Sequence, residues 1–402
     1  MSQTLSNFDE VLKSDYLPAI REQLNHETIL MNNIQRNEES VTGKEWKMAA
    51  HYGRNSGVGA RPDNGTLPTA GNQAYKNPYD SVKFNYARIT VTGPTMKASR
   101  DNDGAFVQAL GSEIEGAMRD LKKDINFQLF NDGTAYRALV NGDPGTGTTL
   151  TVDAPGTSYL SDGMLIDIVD PISGVPCTSS TDLVITSVDS STACTMSAAI
   201  NADVADNDVV VRAGSTDDAG TSYEMMGLKG IVDDATYVAT LHNIARGTYA
   251  WWNCATHAND DNSGTNRDLT TSLMQDSFTA VQKLGGKVGA ILTTFELRDA
   301  YAAELVSDKR FVNTLDLDGG FSGLEYNGIA VIPDQDALAN TMLFVDWNHL
   351  FLFQMSDFDW MDQDGAVLSR VASSDSYEAV LYWYANLGTD RPRAHSFLRD
   401  VS

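Results

Sequence analysis

Apolar positions along this chain follow two periods, and each predicts a different element. Over 8–37, Leu12, Tyr16, Ile20, Leu24, Ile29, Met31 and Ile34 recur at mostly three- to five-residue spacing with charged residues between them. That is the pattern of an amphipathic helix, and Pro18 predicts a break near Tyr16-Leu17. Over 103–131, Phe106, Leu110, Ile114, Met118, Leu121, Ile125 and Leu129 form one stripe at spacings of three or four, the strongest helix signal in the chain. Asp101 or Asp103 can cap its start, and Asn131-Asp132-Gly133 stops it. At 1.5 Å per residue it would run roughly 40 Å, longer than a globular domain usually needs.

The second period is two. Lys83–Val91 alternates polar and apolar residues, as a half-exposed strand does. With Glu45–Ala49, the segment Ser81–Val91 would frame a long two-stranded hairpin around 42–80, which is rich in Gly, Asn, Pro and Ala. That stretch is too poor in apolar residues for a core, and a loop so long implies a function. Over 138–215, Leu150–Val152, Met164–Val169, Leu183–Val188, Cys194–Ala198 and Val209–Arg212 read as short strands divided by turn residues. They predict a small β-barrel or sandwich inserted between two α/β pieces. Later, helices are expected over 269–284 and Phe295–Val306, with strands at Val288–Leu292, Gly328–Ile332 and Met342–Val345. From 346 onward strands dominate: Leu350–Gln354, Ala366–Ala372 and the aromatic-rich Tyr377–Leu387. The class is α+β, with no repeat of fixed period.

Charge narrows the function. Of 402 residues, 29 are Lys or Arg and 54 are Asp or Glu, a net charge of −25. Such a chain is not built to grip nucleic acid or an anionic membrane, which needs clustered cations. It suits a soluble protein at high concentration. The 138–215 segment carries only aspartates and one cation, Arg212, so its outer face meets solvent. A hydrophobic content of 42% with 21% charged residues excludes wholesale disorder. Cys177, Cys194 and Cys254 make no disulfide framework or zinc motif, so a reducing cytoplasm is expected. The start, MSQTLSNFDEVL, has no basic and apolar regions of a signal peptide. Runs such as Leu350–Phe353 are too short to span a bilayer.

Candidate chemistry is weak throughout. Gly142–Thr149 is glycine-rich but lacks the lysine of a phosphate loop and has no helix after it. Thr314, Asp316, Asp318, Gly319 and Glu325 approach calcium-loop spacing, with Thr where the first Asp belongs; a solvated loop is the better reading. Asn259–Gly264 is weaker, with Thr270 where Glu is needed. His26, His51, His242, His257, His349 and His395 show no paired ligand spacing, and Cys254 beside Trp251-Trp252 reads as packing. No catalytic, cofactor or metal residue is assigned, and no enzyme is expected. Arg119, Lys122 and Lys123 give the long helix a basic patch, read first as a solvated face and second as a surface for weak, sequence-independent phosphate contact.

The order of parts is specific: helical arm, long hairpin, very long helix, β-rich insertion, α/β region, terminal strands. It resembles the major capsid protein of tailed double-stranded-DNA bacteriophages, the Hong Kong 97-type fold. The residues carrying the likeness are KFNYARITVTGPTMKASRDNDGAFVQALGSEIEGAMRDLKKDINFQLFNDG, then VGAILTTFELRDAYAAELVSDKRF and LEYNGIAVIPDQDALANTMLFVDWNHL. The resemblance implies an N-terminal arm (1–41), an extended loop (42–90), and a peripheral domain with its spine helix (91–137). It further implies an inserted β domain (138–215), an axial domain (216–345), and a return through the peripheral hairpin to the axial domain (346–402). The implied function is a shell of pentamers and hexamers around phage DNA, with no sequence-specific binding. Implied partners are other copies of the chain, a scaffolding protein, a portal and a decoration protein; the expected location is the virion, assembled in host cytoplasm. Some members cross-link an extended-loop lysine to a neighbour's asparagine, for which Lys44, Lys47 and Lys76 are the candidates. An encapsulin-like bacterial nanocompartment shell is the alternative.

Overall fold

The computed structural model describes residues 29–94, 103–153, 155–217, 221–259, 264–307, 314–317, 321–361, 367 and 369–402. Most of the expected arm helix, with Pro18, and the Asp101 cap lie outside these residues, as does His26. The end of that helix differs from expectation. Ile29–Asn33 is helical, but Gln35–Asn37 is a strand, parallel to Leu350–Gln354. Leu30, Met31 and Ile34 are all buried. One helical turn followed by a strand satisfies the same apolar positions, and a sheet edge with unpaired backbone groups captured the segment.

The long helix spans Asp103–Phe130, about 42 Å at 1.5 Å per residue. Its Leu121, Ile125 and Leu129 are buried against a sheet built on one long strand, Ser376–Thr389. That strand pairs antiparallel with Leu350–Gln354 and, through ten register pairs, with Lys83–Thr92. Lys83–Thr92 therefore leaves the extended hairpin and belongs to this sheet. The hairpin itself is closed by Glu45–Lys47 with Tyr79–Ser81, then by Ala50–Gly53 with Ala74–Lys76.

A second, seven-stranded mixed sheet runs Ala255–His257, Ser396–Arg399, Thr341–Val345, Ala290–Thr293, Ile329–Pro333, Phe321–Tyr326, Thr314–Leu317. Helices Thr271–Lys283 and Phe295–Ser307 pack on it through Met274, Val281, Leu297 and Tyr301. The expected solvated loop over 314–325 is corrected here. Its described residues form two antiparallel strands, with Leu315 opposite Gly323, because Phe321–Tyr326 pairs in turn with Ile329–Pro333 and so extends the sheet edge.

The segment from Tyr136 to Arg212 forms a six-stranded sheet in the order Tyr136–Leu139, Val209–Arg212, Leu165–Val169, Leu183–Ser190, Ala193–Met196, Thr149–Thr151. It has its own buried cluster, including Val140, Leu150, Ile166, Ile168, Ile185 and Cys194. The chain enters and leaves through neighbouring strands, Ala138 lying opposite Val210. It then turns at Gly227 under the end of the long helix. A Cβ at Gly227 would stand 2.3 Å from the carbonyl oxygens of Gln128 and Asn131, so only glycine fits. Among the described residues no helix is long and apolar enough to cross a membrane.

Candidate assembly surface

Two features leave apolar or aromatic surface that a single chain does not cover. The first is the extended hairpin. From His51 to Asn77 no residue is buried, and Val58 and Leu67 are 84% and 81% exposed. Few apolar side chains lie there, so the hairpin contributes little to its own stability. Its root is fixed instead. Trp46 is fully buried, stacked on Phe353 at 4.1 Å. Gly388 makes that possible, since a Cβ there would meet both rings at 2.6 and 2.7 Å. Tyr52 stacks on Trp251 at 4.9 Å, and Lys76 lies over the Tyr249 ring at 4.8 Å. Residues 42–80 hold five cations, Lys44, Lys47, Arg54, Arg61 and Lys76, against three carboxylates, Glu45, Asp63 and Asp80. The hairpin thus carries a small positive charge within a chain of net charge −25.

The second feature is the solvent face of the long-strand sheet. Alternation along Lys83–Thr92 turns Asn85, Ile89 and Val91 inward and Phe84 and Tyr86 outward. With Tyr382 and Tyr384 opposite them, four rings form a ladder: Phe84 to Tyr384 at 5.1 Å, Tyr86 to Tyr384 at 5.8 Å, Tyr382 to Tyr384 at 5.0 Å. Phe84 and Tyr86 remain about half exposed. Aromatic surface of this kind marks interaction faces.

A buried polar junction holds these parts together. Arg137, on the first inserted strand, donates from Nη2 to Asp124 at 2.8 Å and Glu224 at 2.6 Å. Its guanidinium lies 3.8 Å over the Phe127 ring. Gln128 donates to Asn85 and Asp124 and accepts from the Met225 amide, each at 3.0 Å. Burial works against the charge of Asp124, but Arg137 and Arg212 hold its carboxyl below the ordinary range. Glu224 goes the other way, pushed up by burial and by Asp124 despite Arg137. Sequence patterning missed this junction, because its residues, from Asn85 to Met225, are scattered along the chain and form no motif.

The candidates singled out from sequence are dispersed. The backbone N–H groups of Gly142 and Gly145 are taken by Asp206 and Asp143, so that glycine-rich loop faces carboxylates, not phosphate. Asp316 and Glu325 sit on strands, and Thr270 caps the helix Thr271–Lys283 by accepting from the Leu273 amide. Among the described residues no group of three or more His, Cys, Asp or Glu could hold a metal. His51 contacts Gln73, His349 pairs with Asp390 at 2.8 Å, and His395 is buried, accepting from the Asp346 amide, its pKa pushed down by burial to about 4. Burial raises the Cys254 thiol to about 12. Lys44 is exposed, Lys47 reaches Glu45 of its own strand at 3.2 Å, and Lys122 lies 6.0 Å from the Phe358 ring. Arg119 and Lys123 are half-buried on the same helix. A cleft of about 730 Å³ opens between the inserted sheet and the second sheet, lined by Phe127, Tyr159, Lys229, Leu297 and Asp336 among others.

No family model and no curated protein matches the chain. Solved structures do. The capsid protein of cyanophage A-1(L) superposes with a TM-score of 0.60 at 17% identity, over 96% of this chain and 95% of that one. The capsid of a native GTA particle gives a TM-score of 0.53 at 10% identity over 100% of both chains. An encapsulin complex from Synechococcus elongatus gives 0.48 at 9% identity over 100% of this chain and 96% of that one, a distance at which likeness carries no argument. The chain therefore has the fold of tailed-phage capsid proteins, the Hong Kong 97-type fold.

Proposed function

We propose that this protein is a shell subunit, the major capsid protein of a tailed phage. The observation that carries the reading is the extended hairpin, ordered at its root by Trp46 yet without one buried residue from His51 to Asn77. Strands so sparsely packed gain order by covering something else. Head-to-tail contacts in a ring place such an extension of one subunit on the next. The shared fold with two capsid proteins supports the same conclusion.

In this reading 1–41 is the arm, and 42–82 is the extended loop, since Lys83–Thr92 is a strand of the sheet. The long helix and the long-strand sheet make the peripheral domain, the seven-stranded sheet the axial domain, and Tyr136–Arg212 the inserted domain. Pentamers and hexamers close an icosahedral shell around double-stranded DNA, held by confinement with weak phosphate contact from Arg119, Lys122 and Lys123. A scaffolding protein, a portal and a decoration protein complete the assembly in the host cytoplasm. The role is structural and non-enzymatic.

The test is electron microscopy with size-exclusion chromatography of the chain expressed alone and with its scaffold. Shells, tubes or capsomer rings are expected. Replacing 54–73 by a short turn should leave a folded monomer that no longer assembles. A truncated chain that assembles like the intact one would overturn the argument. Cargo enzymes in place of DNA inside native particles would favour a nanocompartment instead.

A further inference from the structure

The root of the extended hairpin holds a strained, buried histidine that neither the fold nor the shell reading uses. Thr240–Leu241 and Ile244–Ala245 are two short antiparallel strands joined by His242-Asn243. Both turn residues are left-handed, with φ of 47° and 61°, as a two-residue hairpin turn demands. His242 is no glycine, so its backbone stores strain. The turn drives its imidazole into the hairpin root. The His242 side chain is 0% exposed, edge-on to Trp46 at 4.7 Å, and the His242 carbonyl accepts from the Tyr79 amide at 3.2 Å. Nδ1 lies 3.3 Å from the Asp80 carboxylate, whereas Nε2 is buried with no hydrogen-bond partner.

That environment accepts a neutral ring with its proton on Nδ1. A second proton would have to sit on Nε2, where no acceptor is present. Groups facing the imidazole from packed elements do not change this. Asp80 already uses Nδ1. Glu45 lines the adjoining cavity of about 370 Å³ but is drawn to Lys47. Lys83, behind Asp80, donates to the Ser222 carbonyl at 2.7 Å. Arg246, on the same short hairpin, is held by Asp233 at 3.0 Å and repels a charged ring.

We propose that the His242 turn is a proton-operated clamp: neutral, it fixes the extended hairpin to the body of the subunit, and protonation in mild acid releases it. Burial, outweighing Asp80, lowers the His242 pKa below its ordinary value. The open form then binds more protons than the closed one, so clamping is fully present above about pH 6.5 and weakens as pH falls below it. At pH 5 the open fraction can rise by at most about 30-fold, the ratio set by an open-state pKa of about 6.5. The clamp works within one chain and does not depend on the shell reading.

The test is hydrogen–deuterium exchange of the full chain at pH 7.5 and 5.0, with labelling times scaled for intrinsic exchange. The readout is the amide of Tyr79, which bonds the His242 carbonyl across the root, together with those of Met48 and Val82, which bond between the two strands of the root itself. Protection there should fall roughly tenfold or more in acid, while the central strand Ala290–Thr293 stays protected. His242→Asn, which tolerates the left-handed turn, should exchange alike at both pH values. Asp80→Asn should keep the acid loosening, which separates the ring's proton from that of Asp80. Wild-type protection that does not change, or loosening that persists in His242→Asn, overturns the clamp. Should His242→Asn open the root at both pH values, Asp80→Asn decides: loosening retained there supports the clamp, and its loss overturns it. Failure of the shell reading would show separately, as absent assemblies with the root still protected at neutral pH.

Discussion

Replacing Arg137 by Met tests whether the buried junction holds the fold together. Arg137 is 4% exposed by its side chain, and its partners Asp124 and Glu224 are 12% and 6% exposed. Met fills most of the stem volume over Phe127 but leaves two buried carboxylates facing each other. Removing one partner of such a cluster costs about 3–5 kcal/mol, because a charge is left uncompensated. For 402 residues unfolding together, an entropy of about 2.1 cal/mol/K per residue turns that into a fall in Tm of roughly 4–6 °C. The sign with pH is distinctive. Without the guanidinium both carboxyls bind protons more tightly folded than unfolded, so lowering pH favours the folded state. The deficit of Arg137→Met against wild type should therefore shrink between pH 7.5 and 5 in calorimetry or urea titration. Adding Glu224→Gln should recover at least half of the loss, a coupling that a double-mutant cycle reads directly. A deficit under 1 kcal/mol, or one equal at both pH values, would show that the junction is incidental to stability.

Two further outcomes follow from burial. Trp383, fully buried on the long strand and donating to Gln354, should cost about 3–5 kcal/mol as Trp383→Ala, measured by the urea midpoint. Asp334, whose carboxyl burial raises to about 6, accepts from Asn126 at 3.1 Å and from the Asp336 amide at 2.9 Å. Its ionisation penalises folding above pH 6 and vanishes below about pH 4, so Asp334→Asn should raise neutral-pH stability by about 1–3 kcal/mol and flatten the slope between them; unchanged pH dependence would refute that.

Local patterns were readable and distant pairings were not. The long helix, the helices near 271–283 and 295–307, and the strands at 290–293, 341–345 and 350–354 lie close to their expected bounds, because apolar period alone specifies them. Gln35–Asn37 read as helix, since three residues cannot separate a period of 3.6 from one of 2. Lys83–Thr92 was correctly a strand but wrongly placed in the hairpin. Its partner begins at Ser376, and no local feature records that distance. The hairpin's poverty in apolar residues was visible from composition, and its solvent exposure follows. What was hidden is its root, where Trp46, His242, Phe353 and Gly388 come from four separate stretches of chain.

The seven-stranded sheet has a temporal consequence. Ser396–Arg399 lies inside it, between Ala255–His257 and Thr341–Val345, although it is the last of the seven to be synthesised. At roughly 5–20 residues per second, the ~140 residues separating Ala255 from Ser396 take about 7–30 s to emerge. Throughout that interval the edge of Ala255–His257 destined for Ser396–Arg399 stands unpaired on the nascent chain, joined by that of Thr341–Val345 once it emerges. The Tyr136–Arg212 sheet waits for nothing downstream and can fold on the ribosome. A premature stop after 395 would thus release a chain whose other sheets are complete but whose seven-stranded sheet lacks an inner strand, a substrate for chaperones and proteases rather than for assembly.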